Sequence, residues 1–416
     1  MLPSFLPSTP HESYEYAIRQ ANLQETALGY EWLIAARRVL THALTVETPY
    51  EEVGYFDPLQ AGAMGYRVSA LRGQMLVFSV EIDGDGPSRV FLDLFRAVDD
   101  TLRPHRREAY ADSTDRVLQH FVRRDGDYIL RVQPELLRGG RYRITITQGA
   151  SLAFPVEGEG LGSIRSVFGD VRDGGRRDHH GVDIFAPRGT PVLAASSGQV
   201  RSTRTGGLGG RVVWLKDEFG QSQYYAHLDS QAVRRGQRVN QGDTLGFVGN
   251  TGNARTTSPH LHFGIYSRGP YDPYPSLKQL PATPPRLTAD TSIVGRWARS
   301  TSDGLRMRAS PTRRAQGLGE IARHTPMLVI GGVGGWYRVI LPDGAAGFVL
   351  AVSLEPIAPL RRAELTDGGV LLDSPIPTAV VVETMGPGSE VAVLGEYGEY
   401  LFVQPDDGPP GWLLLD

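Results

Sequence analysis

The chain has 416 residues, enough for three or four domains. Its formal charge of −3 gives no basis for nucleic-acid binding or electrostatic membrane docking. The absence of cysteine excludes disulfides, thiolate metal sites and a cysteine nucleophile, so any metal must be held by His, Asp or Glu. No stretch approaches the roughly 20 apolar residues of a membrane-spanning helix. The opening Met1-Leu2-Pro3-Ser4 lacks the basic and apolar regions of a secretion signal.

The pattern predicts a mostly β, multidomain protein. Residues 1–48 read as a helical segment. Thr9 with Glu12 forms a capping box, Pro10 takes the first helical position, and Leu28, Trp32, Ala35, Ala36, Val39 and Leu40 keep helical spacing. Residues 49–155 change to a period of two and predict an antiparallel β-sandwich. Its strands carry Tyr66, Val68 and Ala70; then Met75, Val77 and Ser79; Val90, Leu92 and Leu94; Ile129 to Val132; and Tyr142, Ile144 and Ile146. His105 and His120 read as surface histidines here. Residues 156–285 hold the chemistry described below, and a linker with Pro281, Pro284 and Pro285 follows. Residues 290–357 and 358–416 repeat one another. Ser310-Pro311 recurs as Ser374-Pro375, Val329-Ile330-Gly331 as Val393-Leu394-Gly395, Trp336 as Tyr400, and Gly347-Phe348 as Gly411-Trp412, always 64 positions on. We expect two tandem small β-barrels.

Three strings concentrate five of the ten histidines: His179-His180-Gly181-Val182-Asp183, Tyr225-Ala226-His227 and His260-Leu261-His262. Imidazole and carboxylate are what a catalytic zinc takes when it keeps one position open for water. If Leu261 and Phe263 face a core, strand alternation places His260 and His262 together on the opposite face. The first string reads as a loop entering a strand, since Ile184-Phe185-Ala186-Pro187 is strand-like. His11, His42 and His324 have no ligand-spaced partners and read as structural. Asn250, between two glycines, reads as a turn former in the left-handed region. Arg172, Arg176 and Arg177 read as a solvated loop.

The order HxGxD, YxH and GNTG…PHLHF resembles the lysostaphin/LytM-like zinc endopeptidases of bacterial cell walls. The residues that carry it are His179 to Asp183, Tyr225 to His227, Gly249-Asn250-Thr251-Gly252 and Pro259 to Phe263, framed by Ser166-Val167-Phe168-Gly169 and Gly198-Gln199-Val200. The resemblance spans about 110 residues. It implies an antiparallel-β peptidase domain in which His179, Asp183 and His262 hold one Zn2+ ion, His227 and His260 are the catalytic pair, and a zinc-activated water attacks the peptide bond. His180 fills the variable slot and is not a ligand. The chain departs from the pattern at Gly264, where many relatives carry an acidic or amide residue. Leu305 to Pro311 followed by Gly335-Trp336-Tyr337-Arg338-Val339 resembles bacterial SH3-like modules, which implies either wall-peptide binding or, where these aromatics are barrel core, modules that pack on the enzyme. In the second copy Leu372 replaces Arg308 and Tyr400 replaces Trp336. The sandwich resembles jelly-roll domains found beside secreted bacterial peptidases.

The expected function is hydrolysis of peptide cross-links in peptidoglycan, with no nucleic acid and no transmembrane segment involved. Such a substrate implies a periplasmic, cell-envelope or secreted location, with the signal removed from this sequence. Two alternatives stand beside it: a non-catalytic wall-binding or regulatory protein, and a zinc endopeptidase acting on proteins. The N-terminal region could occlude the active site or position it.

Overall fold

A computed structural model describes residues 8–83, 89–98, 105–112 and 114–415, with no statement on the side chain of Asp173; Met1 to Ser4 lie outside the described residues. The protein is mostly β. Helix Pro10–Gln20 starts on Thr9, whose Oγ1 accepts the Glu12 N–H at 3.1 Å. The reciprocal half of the box differs from expectation, because the Glu12 carboxylate accepts the Ser8 N–H instead. Helix Ala27–Thr41 follows a short turn, and the chain is already extended at Leu44–Thr45. Trp32 anchors this segment by donating from Nε1 to the Pro134 carbonyl at 2.8 Å and stacking on buried His11.

The next region is two facing β-sheets. Tyr66, Val68, Leu92, Leu94, Leu130 and Val132 from one side meet Leu76, Phe78, Val80, Tyr142, Ile144 and Ile146 from the other. In strand Gln74–Asp83 the inward set is Leu76, Phe78 and Val80, one residue out of phase with the expected Met75, Val77 and Ser79, which are half-buried. His120 is also buried, beside Tyr128, rather than on the surface.

One sheet of this sandwich does not stop at its own edge. Strand Tyr50–Phe56 pairs antiparallel with Pro326–Val333, with Val53 opposite Gly332, and builds an 11-stranded sheet. Trp336 and Phe348 of the first repeat complete the sandwich core. Arg338 reaches fully buried Glu52 with an Nε–Oε1 bond of 3.0 Å. Gly331 makes room for this pair, since a Cβ would lie 2.3 Å from Glu52 Oε1.

The two repeats share one register: Val329 pairs with Val339 as Val393 pairs with Val403, and Arg308 with Phe348 as Leu372 with Trp412. The position of Arg338 is taken by Phe402, which packs on Trp297 and Trp412. The second repeat docks on the first through Gly395, whose Cβ would lie 2.7 Å from the His324 carbonyl, and through Glu396 N–H to that same oxygen at 3.1 Å.

Between these regions lies an antiparallel sheet. Its central strands run in the order Val182–Phe185, His260–Tyr266, Ser222–Leu228, Arg211–Asp217 and Gly198–Thr205. Val182, Ile184, Leu261, Phe263, Ile265 and Tyr225 form its core face. The sandwich docks on this sheet by stacking Phe121 on Phe219 at 4.6 Å and setting Arg72 over the Tyr271 ring at 3.8 Å. Phe219 precedes strand Ser222–Leu228 and Tyr271 follows strand His260–Tyr266. Both contacts therefore sit at the strand ends remote from His227 and His260.

Candidate metal centre and cleft

Strand His260–Tyr266 alternates as its sequence demands. Leu261, Phe263 and Ile265 enter the core, so His260, His262, Gly264 and Tyr266 share the opposite face. Asp183 lies directly across from His262 on the neighbouring strand, a spacing that brings cross-strand side chains into contact. His179 arrives from the preceding loop. Gly181 permits the approach, because a Cβ there would lie 2.4 Å from the Phe263 carbonyl and 2.9 Å from the His262 ring.

These three side chains converge. Asp183 Oδ1 lies 3.0 Å from both His179 Nε2 and His262 Nδ1, and the two ring nitrogens are 2.9 Å apart. His179 Nδ1 faces the Val167 carbonyl at 2.8 Å. A carbonyl only accepts, so the proton sits on Nδ1 and the Nε2 lone pair faces its neighbours. Two imidazole nitrogens and a carboxylate oxygen crowding one point, with at most a proton to share, suit a cation; as a donor set they fit zinc. Burial alone would raise the Asp183 carboxyl, but the adjoining His179 and His262 side chains overcome it and hold it well below the usual carboxylate range. Burial lowers the His262 imidazole.

His227 and His260 stand beside this cluster, not in it. Their rings are 5.0 Å apart, and the His227 ring is 5.9 Å from that of His262. His227 Nδ1 donates to the Thr251 carbonyl and His260 Nδ1 to the Ser258 carbonyl, both at 2.9 Å. Each therefore keeps an Nε2 lone pair for chemistry. His260 stacks on Phe185 at 5.0 Å. Burial, then the neighbouring His260 and His262, lowers His227 to about 4. His227 also has φ of 63°, a left-handed conformation that costs energy in a residue with a Cβ. Its N–H to the Gly209 carbonyl at 2.8 Å holds that conformation, and the Gly249 turn packs against its own carbonyl.

The five singled-out residues thus gather at one place, three in contact and two adjacent. His180 is exposed, stacked on Phe168. Tyr225 is core, accepting the Ala195 N–H at 2.9 Å. Asn250 is not left-handed; the positive φ in that turn belongs to Gly252. The Asn250 amide instead reaches the Arg255 and Thr257 carbonyls, both at 3.3 Å.

Arg172 corrects the expectation of a solvated loop. Its Nη2 contacts Asp183 Oδ2 at 2.9 Å and also bonds Ser166 Oγ. Asp183 thereby has one oxygen fixed by a guanidinium while the other faces the two imidazoles. Nothing in the spacing of Arg172 announces this, because only the fold brings the two positions together.

Residues 177–273 match Peptidase family M23. Over 139 residues the chain is 37% identical to the L-Ala–D-Glu endopeptidase of Bacillus subtilis (strain 168), covering 30% of this chain and 43% of that protein. It is 38% identical over 91 residues to a peptidoglycan DD-endopeptidase of Vibrio cholerae, covering 22% and 21%. It is 39% identical over 108 residues to the glycyl-glycine endopeptidase of Staphylococcus capitis, covering 24% and 29%. The chain spans less than half the length of these curated relatives. Among solved structures, the catalytic domain of lysostaphin from Staphylococcus simulans is 36% identical, with 27% of this chain and 88% of that chain covered and a TM-score of 0.25.

Proposed function

Because the chain carries a domain of peptidase family M23, we propose that it is a zinc-dependent endopeptidase hydrolysing peptide bonds of bacterial peptidoglycan, acting outside the cytoplasm in the periplasm, envelope or medium. The observation that carries this reading is the convergence of His179, Asp183 and His262 beside two imidazoles whose Nε2 atoms have no hydrogen-bond partner among the described residues. The names of the relatives support the substrate class: one is a peptidoglycan DD-endopeptidase, and the others are endopeptidases named for L-Ala–D-Glu and glycyl-glycine bonds.

In this reading His179, Asp183 and His262 hold one zinc ion. When bound, zinc supplies Lewis acidity and acidifies a water. His227 and His260 do the proton and charge work. A histidine lowered to about 4 is neutral at pH 7, so the His227 Nε2 carries a lone pair there. Thr251 and Ser258 fix both rings by their Nδ1–H groups, leaving Nε2 of each to take the proton of the attacking water or, once protonated, to donate to the developing oxyanion.

The further units we propose are residues 1–48 as a helical segment, 49–155 as a sandwich, 156–285 as the peptidase, and 290–357 and 358–416 as SH3-like modules, the first of them packed on the sandwich through Trp336 and Phe348. The sandwich is a positioning scaffold, not a plug, because its contacts at Phe219 and Tyr271 lie at the far strand ends.

Digestion of purified sacculi by the full chain, followed by mass spectrometry, tests the reading. New peptide termini that disappear with His260→Ala are expected. Sacculi left intact by zinc-loaded protein would favour the non-catalytic wall-binding alternative, and cleavage of unrelated proteins alone would favour the other.

A further inference from the structure

The cleft face of the peptidase sheet carries a second feature that the five polar residues do not use. Trp214, Tyr224 and Tyr266 come from three neighbouring strands and cluster on the same face as His262. Their ring centroids lie 4.5 Å (Trp214–Tyr224), 5.1 Å (Trp214–Tyr266) and 6.3 Å (Tyr224–Tyr266) apart. Tyr224 meets the His262 ring edge-on at 5.8 Å, so the patch is continuous with the candidate metal centre. Gly264 makes room for it. A Cβ there would lie 2.8 Å from the His180 carbonyl and 3.1 Å from Tyr266 Cε2, so glycine lets the His180 backbone and the Tyr266 ring come close to this strand.

An aromatic cluster on a sheet is often core, and the reverse face of this sheet has one: Tyr225 and Phe263 are 0% exposed. The cleft-side trio differs. All three residues are only partly buried, and neither the Tyr224 nor the Tyr266 hydroxyl has a hydrogen-bond partner among the described residues. Partly exposed amphipathic rings with unpartnered hydroxyls, set beside a candidate metal centre, are the surface a ligand uses.

We propose that Trp214, Tyr224 and Tyr266 form a subsite for a pyranose ring of the glycan strand that bears the scissile peptide; this rests on the wall-hydrolase reading above. A pyranose offers an apolar C–H face to stack on aromatic rings and a rim of hydroxyl and acetamido groups for the two phenolic tips. A bare peptide backbone offers no such flat apolar face. The subsite would seat the saccharide on one side of the centre and feed the attached peptide toward His262.

The test is binding of a peptide-free β-1,4-linked N-acetylglucosamine tetramer to the zinc-loaded full chain, read by saturation-transfer NMR and calorimetry. Binding is expected to weaken about tenfold in Trp214→Ala and in Tyr266→Ala and to be largely restored in Trp214→Phe. Zinc stoichiometry and melting temperature serve as the fold control, and if Trp214→Ala does not fold, Tyr266→Ala gives the same readout. No binding by the wild type, or equal binding by a folded alanine variant, overturns the proposal. A chain that binds the tetramer yet leaves sacculi uncut supports the subsite and sinks the hydrolase reading, so the two failures are distinguishable.

Discussion

Four histidines line one cleft, yet they fall into two regions with opposite electrostatic logic. In the first, His179 and His262 point their nitrogens at each other and at Asp183, an arrangement that leaves lone pairs crowded at 2.9–3.0 Å. In the second, His227 and His260 each spend Nδ1 on a backbone carbonyl and keep Nε2 apart. The difference teaches that residue type does not assign role. His179, like His227 and His260, spends Nδ1 on a backbone carbonyl, and what sets it apart is that its Nε2 meets Asp183 and His262, so in the proposed reading the neighbour of the remaining nitrogen assigns the role.

The contrast can be broken at either side. The largest effect is expected from the first region: His262→Ala or Asp183→Asn should abolish cleavage, as should chelation of the wild type, with zinc restoring only the chelated wild type. Removing His227 or His260 should lower kcat by about 10²- to 10⁴-fold, the range for losing a positioned acid or base, without removing the metal. Steady-state assays on a soluble wall peptide measure both. Arg172→Ala frees the second oxygen of Asp183 and should lower kcat/KM about 10- to 100-fold, the usual cost of losing a partner that orients a ligand. The smallest effect concerns pH. A histidine lowered to about 4 is deprotonated above that value, so protonation of His227 should leave kcat/KM unaffected from pH 8 down to 5 and reduce it only as pH falls toward 4. A pH–rate profile with an acid limb near 6.5 that vanishes in His227→Ala would contradict this.

Much of the site was legible because strand alternation is local. His260 and His262 had to share a face once Leu261 and Phe263 were buried. The 64-residue repeat was legible too, since equivalent residues occupy equivalent register positions down to Arg308–Phe348 and Leu372–Trp412. What escaped the sequence depends on tertiary choice. Pairing of Tyr50–Phe56 with Pro326–Val333 uses backbone groups that every residue carries, so no side chain announces it. The buried Glu52–Arg338 pair joins positions 286 apart. The equivalent residue of the second repeat, Phe402, packs on tryptophans instead, so repetition of sequence does not repeat the role. Arg172 was misplaced for the same reason, because a loop arginine is polar whether it meets water or Asp183. The left-handed His227 also leaves no mark in the spacing of its motif.

The central claim is that the two histidine regions divide into metal holders and proton carriers. Calorimetric titration of zinc into metal-free full-length chain tests it most directly. The account predicts one zinc per chain in the wild type, one in His227→Ala, and none at comparable affinity in His262→Ala. Zinc binding that survives His262→Ala, or that is lost with His227→Ala in a folded protein, would contradict it.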